Sequence, residues 1–375
     1  MNRYDCVIVG AGPAGIGLGC VLQDMKMENF IILERNHIGS SFRKWPKEMS
    51  MITPSFPGNA YGMLDLNAVA LQTSPAYTLG TEHPTGEEFA EYLEALAEYK
   101  KLPVRTGIDI QALTPFSDGG FQLVTSGEVI HSRFVIWAAG EFQYPKTDGF
   151  PGSEYAIHNS LVAEWSDIEG DEVVVIGGYE SGADAAIHLS RLGKKVTIID
   201  RNGRWLEKGS SDPSVELSPY TKDRLDEIPD DAIDLLPGYE VHWLEPMEQG
   251  GYLIYCEDQE GKEHFVRSAH PPILATGFKG SVDLIRHLFD QRPDGQPLLS
   301  RHDESTITPG LFLSGPSVVH DDLQLCFIYK FRQRYAVIAE AIGKALELDV
   351  SILNQYRREN MMLEDLSCCA EDCVC

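Results

Sequence analysis

No apolar run in this sequence approaches the roughly 20 residues that a bilayer-spanning helix needs, so no membrane segment is expected. Basic residues are few. Lys and Arg number 31 against 57 Asp and Glu, a formal net charge of −26. Such a charge repels phosphate backbones and anionic lipid, which argues against nucleic-acid and membrane partners. Met1-Asn2-Arg3-Tyr4-Asp5 leads straight into an apolar run without the pattern of a signal peptide, so a cytoplasmic protein is expected. A C-x-x-C pair is also missing. Of the 8 cysteines, Cys6, Cys20, Cys256 and Cys326 are far apart, and Cys368, Cys369, Cys373 and Cys375 crowd the C-terminal end. A secreted disulfide framework would spread its cysteines through the chain. This distribution predicts a reduced body with a thiol-rich tail.

What is present is the material of a globular α/β protein. The chain has 375 residues, 43% of them hydrophobic, enough for two domains. An internal repeat organises it. Tyr4-Asp5-Cys6-Val7-Ile8-Val9 breaks into glycines at Gly10, and Asp171-Glu172-Val173-Val174-Val175-Ile176 does so at Gly177. Each turn leads into an Ala-rich helical stretch and then a second apolar run that ends in an acid and an arginine, Glu34-Arg35 and Asp200-Arg201. The acids stand 24 residues after Gly10 and 23 after Gly177. Two strand–glycine–helix–strand–acid units predict two Rossmann-like dinucleotide-binding domains.

The glycines have distinct tasks. Gly10, Gly12 and Gly15 fit G-x-G-x-x-G: the first permits the tight turn, the second lets the backbone approach a pyrophosphate, and the third lets helix and strand pack closely. Glu34 is placed to accept from a ribose hydroxyl. The second turn reads Gly177-Gly178-Tyr179-Glu180-Ser181-Gly182, with Tyr179 where the second glycine belongs, so its side chain is expected to point away from the pyrophosphate. Asp200 favours NADH, whereas Arg201 and Arg204 favour a 2′-phosphate and hence NADPH; the sequence leaves both open.

Further apolar runs end in small residues, at Val135 to Gly140, Ile273 to Gly277 and Leu311 to Gly315. Glu87 to Lys100 is predicted as an amphipathic helix that buries Phe89, Tyr92, Leu93 and Leu96. Val241 to Ile254 should supply strands, Leu323 to Leu346 a long helix, and Gly58 to Tyr77 a covering loop. The tail from about Glu359 is expected to be mobile. His320-Asp321-Asp322 would open the last helix. There an acid is expected as its N-cap, with a proton-delivering His320 as the alternative. Cys326 is read as a small buried hydrophobe on the same helix as Lys330.

These motifs together resemble the two-dinucleotide-binding-domain flavoproteins, which include thioredoxin reductases, disulfide reductases and flavin-containing monooxygenases. The resemblance covers about residues 1–350. It implies FAD in the first unit and NAD(P)H in the second. The implied domains are a discontinuous FAD domain (1–160 and 281–355), an NAD(P)H domain (161–280) and a Cys-rich tail (356–375). The turn at Gly140 and Ala275-Thr276-Gly277 are similar to the crossover motifs of that superfamily. Thr308 to Gly315 resembles its strand beneath the flavin, although Pro316 replaces the usual Asp. The cofactor-binding residues implied are thus Gly10, Gly12, Gly15, Glu34, Arg35, Gly140 and Gly315 for FAD, and Gly177, Gly178, Ser181, Gly182, Asp200 and Arg201 for NAD(P)H.

The branch is less regular. No redox cysteine pair follows Glu34. Phe42 stands in the Trp place of the monooxygenase G-G-x-W, and Phe150-Pro151-Gly152 with His158 only partly matches F-x-G-x-x-x-H. The overall likeness is to bacillithiol disulfide reductase-like flavoproteins, except that Ala14 stands where those carry Cys in the first glycine motif.

The tail cysteines Cys368, Cys369, Cys373 and Cys375 are candidate catalytic thiols and soft-metal ligands. The nearby acids Glu364, Asp365, Glu371 and Asp372 would raise their pKa values. A structural metal site or a scavenging tail are the plainer alternatives. The expected protein is an FAD-dependent NAD(P)H oxidoreductase that reduces a disulfide, a persulfide or a thiol-bound soft metal. A monooxygenase-like enzyme and a flavin-bearing metal-binding or redox-sensing protein are its rivals. The oligomeric state is left open, a homodimer being one option.

Overall fold

The computed structural model describes residues 2–58, 62–206, 209, 213–321 and 323–366. The four tail cysteines lie outside the described residues. The chain divides into two compact units. The first is discontinuous, built from Met1–Arg43, Pro54–Glu141 and the chain from Gly280 onward; the second is Lys44–Thr53 with Phe142–Lys279.

In the first unit β1 (Asn2–Val9) leads through the glycine turn into α1 (Pro13–Asp24), whose first-turn proline is preset for a helix start. β2 (Phe30–Leu33) returns parallel to β1, pairing Cys6 with Phe30 and Val9 with Leu33. Short helices α2 (Ser40–Arg43) and α3 (Pro75–Leu79) follow. α4 (Gly86–Lys100) has a reciprocal capping box between Thr85 and Glu88, and it buries Phe89, Tyr92, Leu93 and Leu96 as its periodicity predicts. Then come β3 (Val104–Arg105), β4 (Ile110–Pro115), β5 (Phe121–Thr125) and β6 (Val129–Trp137). The sheet order is β3-β2-β1-β6-β5-β4.

The second unit carries β7 (Ile157–His158), β8 (Glu172–Ile176), α5 (Glu180–Arg191), β9 (Lys195–Asp200), α6 (Pro219–Asp226) and β10 (Ile233–Pro237). β11 (Tyr239–Pro246), β12 (Tyr252–Asp258) and β13 (Glu263–Ser268) form an antiparallel meander, and β14 (Ile273–Leu274) rejoins the parallel sheet, ordered β10-β9-β8-β14-β7. β8 shows why its run is continuously apolar. Val173 and Val175 pack with Ala185, Ala186 and Leu189 of α5 on one face, and Val174 and Ile176 pack with Leu244 and Ile254 of the meander on the other.

The chain then returns to the first unit. β15 (Leu311–Leu313) pairs parallel with the second half of β6. β16 (Val319–His320) and β17 (Leu323–Gln324) form a small hairpin, followed by α7 (Ile328–Phe331), α8 (Tyr335–Ala345) and α9 (Leu353–Arg358). Among the described residues no helix is long and apolar enough to cross a membrane.

Several expectations need correction. Residues 142–160 fall in the second unit and not the first, because Ile157 and His158 pair with Ile273 and Leu274 of its sheet. The single helix expected over Leu323–Leu346 is instead a hairpin strand, α7, a 3₁₀ turn and α8. Asp321 has φ +47 and cannot start a helix; Phe327 is the N-cap of α7, so His320 and Asp321 open no helix and Cys326 precedes α7, while Asp322 lies outside the described residues. The loop 58–77 contains the start of α3, and the Arg332 guanidinium anchors its backbone by donating to the carbonyls of Asp65, Leu66 and Ala68. The tail expected to be mobile from about Glu359 is packed as far as it is described. Tyr356, Met361 and Met362 are buried, and the Leu363 amide bonds the Gln333 carbonyl at 2.9 Å.

Candidate dinucleotide-binding sites

The two glycine turns repeat each other in detail. Gly10 has φ +105 and donates its N–H to the Leu33 carbonyl at 2.8 Å; Gly177 has φ +100 and donates to Ile199 at 2.8 Å. A Cβ on Gly10 would lie 2.4 Å from the Ala138 carbonyl oxygen, and one on Gly177 2.4 Å from that of Ala275. A Cβ on Gly15 would come 1.9 Å from the Gly10 oxygen, and one on Gly182 1.9 Å from the Gly177 oxygen. Glycine is thus required here by backbone conformation and by backbone contact together.

Gly12 differs, because nothing in the chain lies within 4 Å of where its Cβ would be. Its φ of −82 and ψ of −168 suit any residue, so the space left above it is what glycine provides. That open cradle at the N-terminus of α1 fits a pyrophosphate. Tyr179 occupies the matching position with nearly the same backbone, φ −85 and ψ −165. Its hydroxyl donates to the Pro213 carbonyl, and the Arg204 guanidinium lies 4.4 Å from its ring centre. The side chain is therefore held by the segment after β9. Among the described residues the Ser181 hydroxyl, one residue into α5, makes no hydrogen bond.

Each acid after the second strand braces its own turn. The buried Glu34 accepts the Ala11 amide at 2.9 Å and the Asn36 amide at 2.8 Å. Asp200 accepts Gly178 at 2.8 Å on one oxygen, and Asn202 at 2.8 Å and Gly203 at 2.6 Å on the other. The carboxylates keep lone pairs for a ribose, but their first partners are backbone amides. Arg35 sits 3.9 Å from Asp109, and Arg201 is 3.5 Å from Glu240 with both side chains largely exposed. Beside Arg201 and Arg204 opens a cavity of about 650 Å³, also lined by Gly238, Tyr239, Asp258 and Glu260. Trp205, which belongs to no motif, packs onto Gly178: a Cβ there would lie 2.0 Å from its ring.

In the first unit, β1, β6 and β15 lie side by side and end together, so the turns at Gly10–Gly12, Ala138–Glu141 and Ser314–Ser317 share one edge of the sheet. Ligands of open α/β sheets sit at this carboxyl edge. Gly140 has φ +66 and Gly315 φ +108. The Gly140 carbonyl accepts the Ser281 amide at 2.9 Å, and Trp137 Nε1 donates to Ser281 Oγ at 3.1 Å.

Three of the described thiols, Cys6, Cys20 and Cys256, are poor nucleophiles. Burial pushes Cys256 up to about 11 and Cys20 to about 12, and raises Cys6 further still. Cys326 is half-buried. Among the described residues no three His, Cys, Asp or Glu side chains gather as a metal site. His320, expected near a helix start, instead places Nε2 2.6 Å from the buried Asp303, whose carboxylate also takes Arg334 Nε and Nη2 at 2.9 Å each.

Comparison with known proteins agrees with this geometry. The family model for pyridine nucleotide-disulphide oxidoreductases matches residues 7–315. An uncharacterized CzcO-like oxidoreductase of Geobacillus kaustophilus is 28% identical over 190 residues, 50% of this chain and 51% of that protein, so the match spans about half the length of this relative. Bacilliredoxin reductase Bdr of Bacillus subtilis is 24% identical over 355 residues, 92% of this chain and 99% of that one. The structure of bacillithiol disulfide reductase Bdr from Staphylococcus aureus superposes with a TM-score of 0.73 at 17% identity, covering 92% of this chain and 99% of that chain. With the family pattern running through both glycine turns, the chain belongs to the pyridine nucleotide-disulphide oxidoreductases, enzymes that use FAD and NAD(P)H.

Proposed function

We propose that the first unit holds FAD, that the second holds NAD(P)H, and that electrons leave to a disulfide, a persulfide or a thiol-bound soft metal in the cytoplasm. The observation that carries the disulfide-type acceptor is the match over nearly the whole of bacilliredoxin reductase Bdr. The cofactors supply hydride and electron transfer; the chain supplies binding and orientation.

The residues divide that work. Gly12 leaves the pyrophosphate free access to the N-terminal amides of α1, while Gly10 and Gly15 let strand and helix close beneath it. Glu34 fixes the Ala11 amide and offers its remaining lone pairs to the ribose. In the second unit the α5 N-terminus with Ser181 takes the nicotinamide nucleotide's phosphates. The cavity at Arg201 and Arg204 takes its adenosine end, with Arg201 there to meet a 2′-phosphate. The buried thiols Cys6, Cys20 and Cys256 are protonated at neutral pH and stay out of the chemistry. Cys368, Cys369, Cys373 and Cys375 are the thiols proposed to accept electrons or hold a soft metal.

The test is anaerobic stopped-flow reduction of the flavoprotein with NADH and NADPH in parallel, followed by mixing with bacillithiol disulfide, a bacilliredoxin mixed disulfide, a persulfide and a thiol-bound mercuric ion. Rapid reoxidation by one of these and slow reoxidation by O₂ is the expected result. Oxygen consumption tightly coupled to product hydroxylation would replace this reading with the monooxygenase one.

A further inference from the structure

We propose that Glu141 belongs to the flavin site: its carboxyl hydrogen-bonds FAD at the carboxyl ends of β6 and β15. The inference rests on the assignment of FAD to the first unit.

The position comes from the topology. β6 ends at Trp137, and the turn Ala138-Ala139-Gly140 delivers Glu141 to the sheet edge where β1 and β15 also end. That edge is where an open α/β sheet binds its ligand. Across the three turns Gly10–Gly12, Ala138–Glu141 and Ser314–Ser317, Glu141 is the single titratable side chain. The turn is held in place by the Ser281 amide on the Gly140 carbonyl and by Trp137 Nε1 on Ser281 Oγ. Gly280, with φ +83, fills the space between Glu141 and the β15 turn: a Cβ there would lie 3.7 Å from Glu141 Cβ and 3.5 Å from Ser317 Oγ.

The chemistry comes from what the carboxyl lacks. Glu34, Asp200 and Asp303 each accept at least two hydrogen bonds. Among the described residues Glu141 makes no hydrogen bond and no ion pair. Burial raises its pKa above the usual carboxylate range, and no charged neighbour contributes to that shift. The side chains that brace its turn and the neighbouring one, Trp137, Ser281 and Ser317, do not titrate near neutrality. Glu141 is half-buried, and a perturbed acid with no partner in its own chain, placed at a ligand edge, marks a functional group. The upward shift favours the protonated carboxyl, whose O–H suits a ligand with exposed acceptor atoms such as the carbonyls and ring nitrogens of a flavin.

The experiment uses the full chain as wild type, Glu141→Gln and Glu141→Ala, stripped of flavin and titrated with FAD by fluorescence, with the oxidised flavin spectrum recorded from pH 5 to 9. Glu141→Gln keeps a neutral donor and should hold FAD within about twofold, whereas Glu141→Ala should bind about tenfold more weakly, the loss of one hydrogen bond. The wild-type flavin spectrum should shift with pH as Glu141 ionises, and that shift should vanish in Glu141→Gln. Unchanged FAD affinity in Glu141→Ala, or a spectral titration that persists in Glu141→Gln, would overturn the proposal. If Glu141→Ala does not fold, the Glu141→Gln spectrum alone decides. A wild-type chain that takes up no FAD would instead refute the cofactor assignment on which the inference rests.

Discussion

Asp200 accepts the backbone N–H of Gly178 at 2.8 Å, so the acid that ends β9 holds the glycine turn that ends β8. Glu34 does the same for Ala11 in the first unit. The acid of this motif braces its own turn, and the ribose contact proposed for it must share that carboxylate.

For Asp200→Ala this has a direct consequence. Three backbone amides, Gly178, Asn202 and Gly203, lose their acceptor together. NADH and NADPH should both bind more weakly, by similar factors, because the turn itself loosens. Arg201→Ala should weaken NADPH selectively, since Arg201 lines the cavity without bracing the turn. Fluorescence titration of each variant with both nucleotides separates the two roles.

Gly12→Val and Gly15→Ala should fail differently. The first places a side chain in the open cradle, so the protein should fold and emerge without flavin. The second drives a Cβ against the Gly10 carbonyl, 1.9 Å away, and should cost about 1–3 kcal/mol in urea unfolding as an overpacked site does. A Gly12→Val protein that purifies yellow with full flavin content would refute the cradle.

Asp303→Ala should be among the most destabilising single substitutions in the first unit. It leaves the buried Arg334 guanidinium without its carboxylate, at a cost of about 3–5 kcal/mol. Equilibrium unfolding of the variant beside the wild type measures it.

His158 gives the second unit a pH dependence of definite sign. Its Nδ1 accepts the Ser160 amide at 3.2 Å while Nε2 faces the Gly277 carbonyl at 3.0 Å, an arrangement of the neutral ring. Burial lowers its pKa, so below the unfolded value of about 6.5 the unfolded chain binds a proton that the folded one refuses. This contribution is fully present above that pH and is lost as pH falls through the lowered folded value. Thermal melts of wild type and His158→Asn between pH 5 and 8 should differ in slope on the acid side, the variant being flatter.

Removing residues 367–375 should leave flavin content and nicotinamide-driven flavin reduction intact while slowing turnover of thiol-bound substrates. Since thiolates are the reactive form, the tail-dependent part of the rate should rise with pH toward about 8.5. Identical pH–rate profiles for full-length and truncated protein would remove the tail from the mechanism.

Local pattern determined a good deal of this protein. The glycine turns, the strands that enter them, the face of α4 and the acids after β2 and β9 were legible because each depends on residues within about two dozen positions, through periodicity, positive φ or capping. Tertiary structure alone decided the rest. The stretch after β15 carries helix-forming residues, yet Asp321 turns left-handed, His320 goes to Asp303, and the helix begins later, because distant charges must be satisfied inside the core. Residues 359–366 read as a solvated tail until Met361 and Met362 find a buried place. Glu141 gave no signal at all: a lone acid after a glycine is unremarked in a sequence, and only the strands that end beside it show a carboxyl with no partner of its own. Pattern reports what a residue prefers locally, whereas which groups are left unsatisfied depends on what the fold brings next to them.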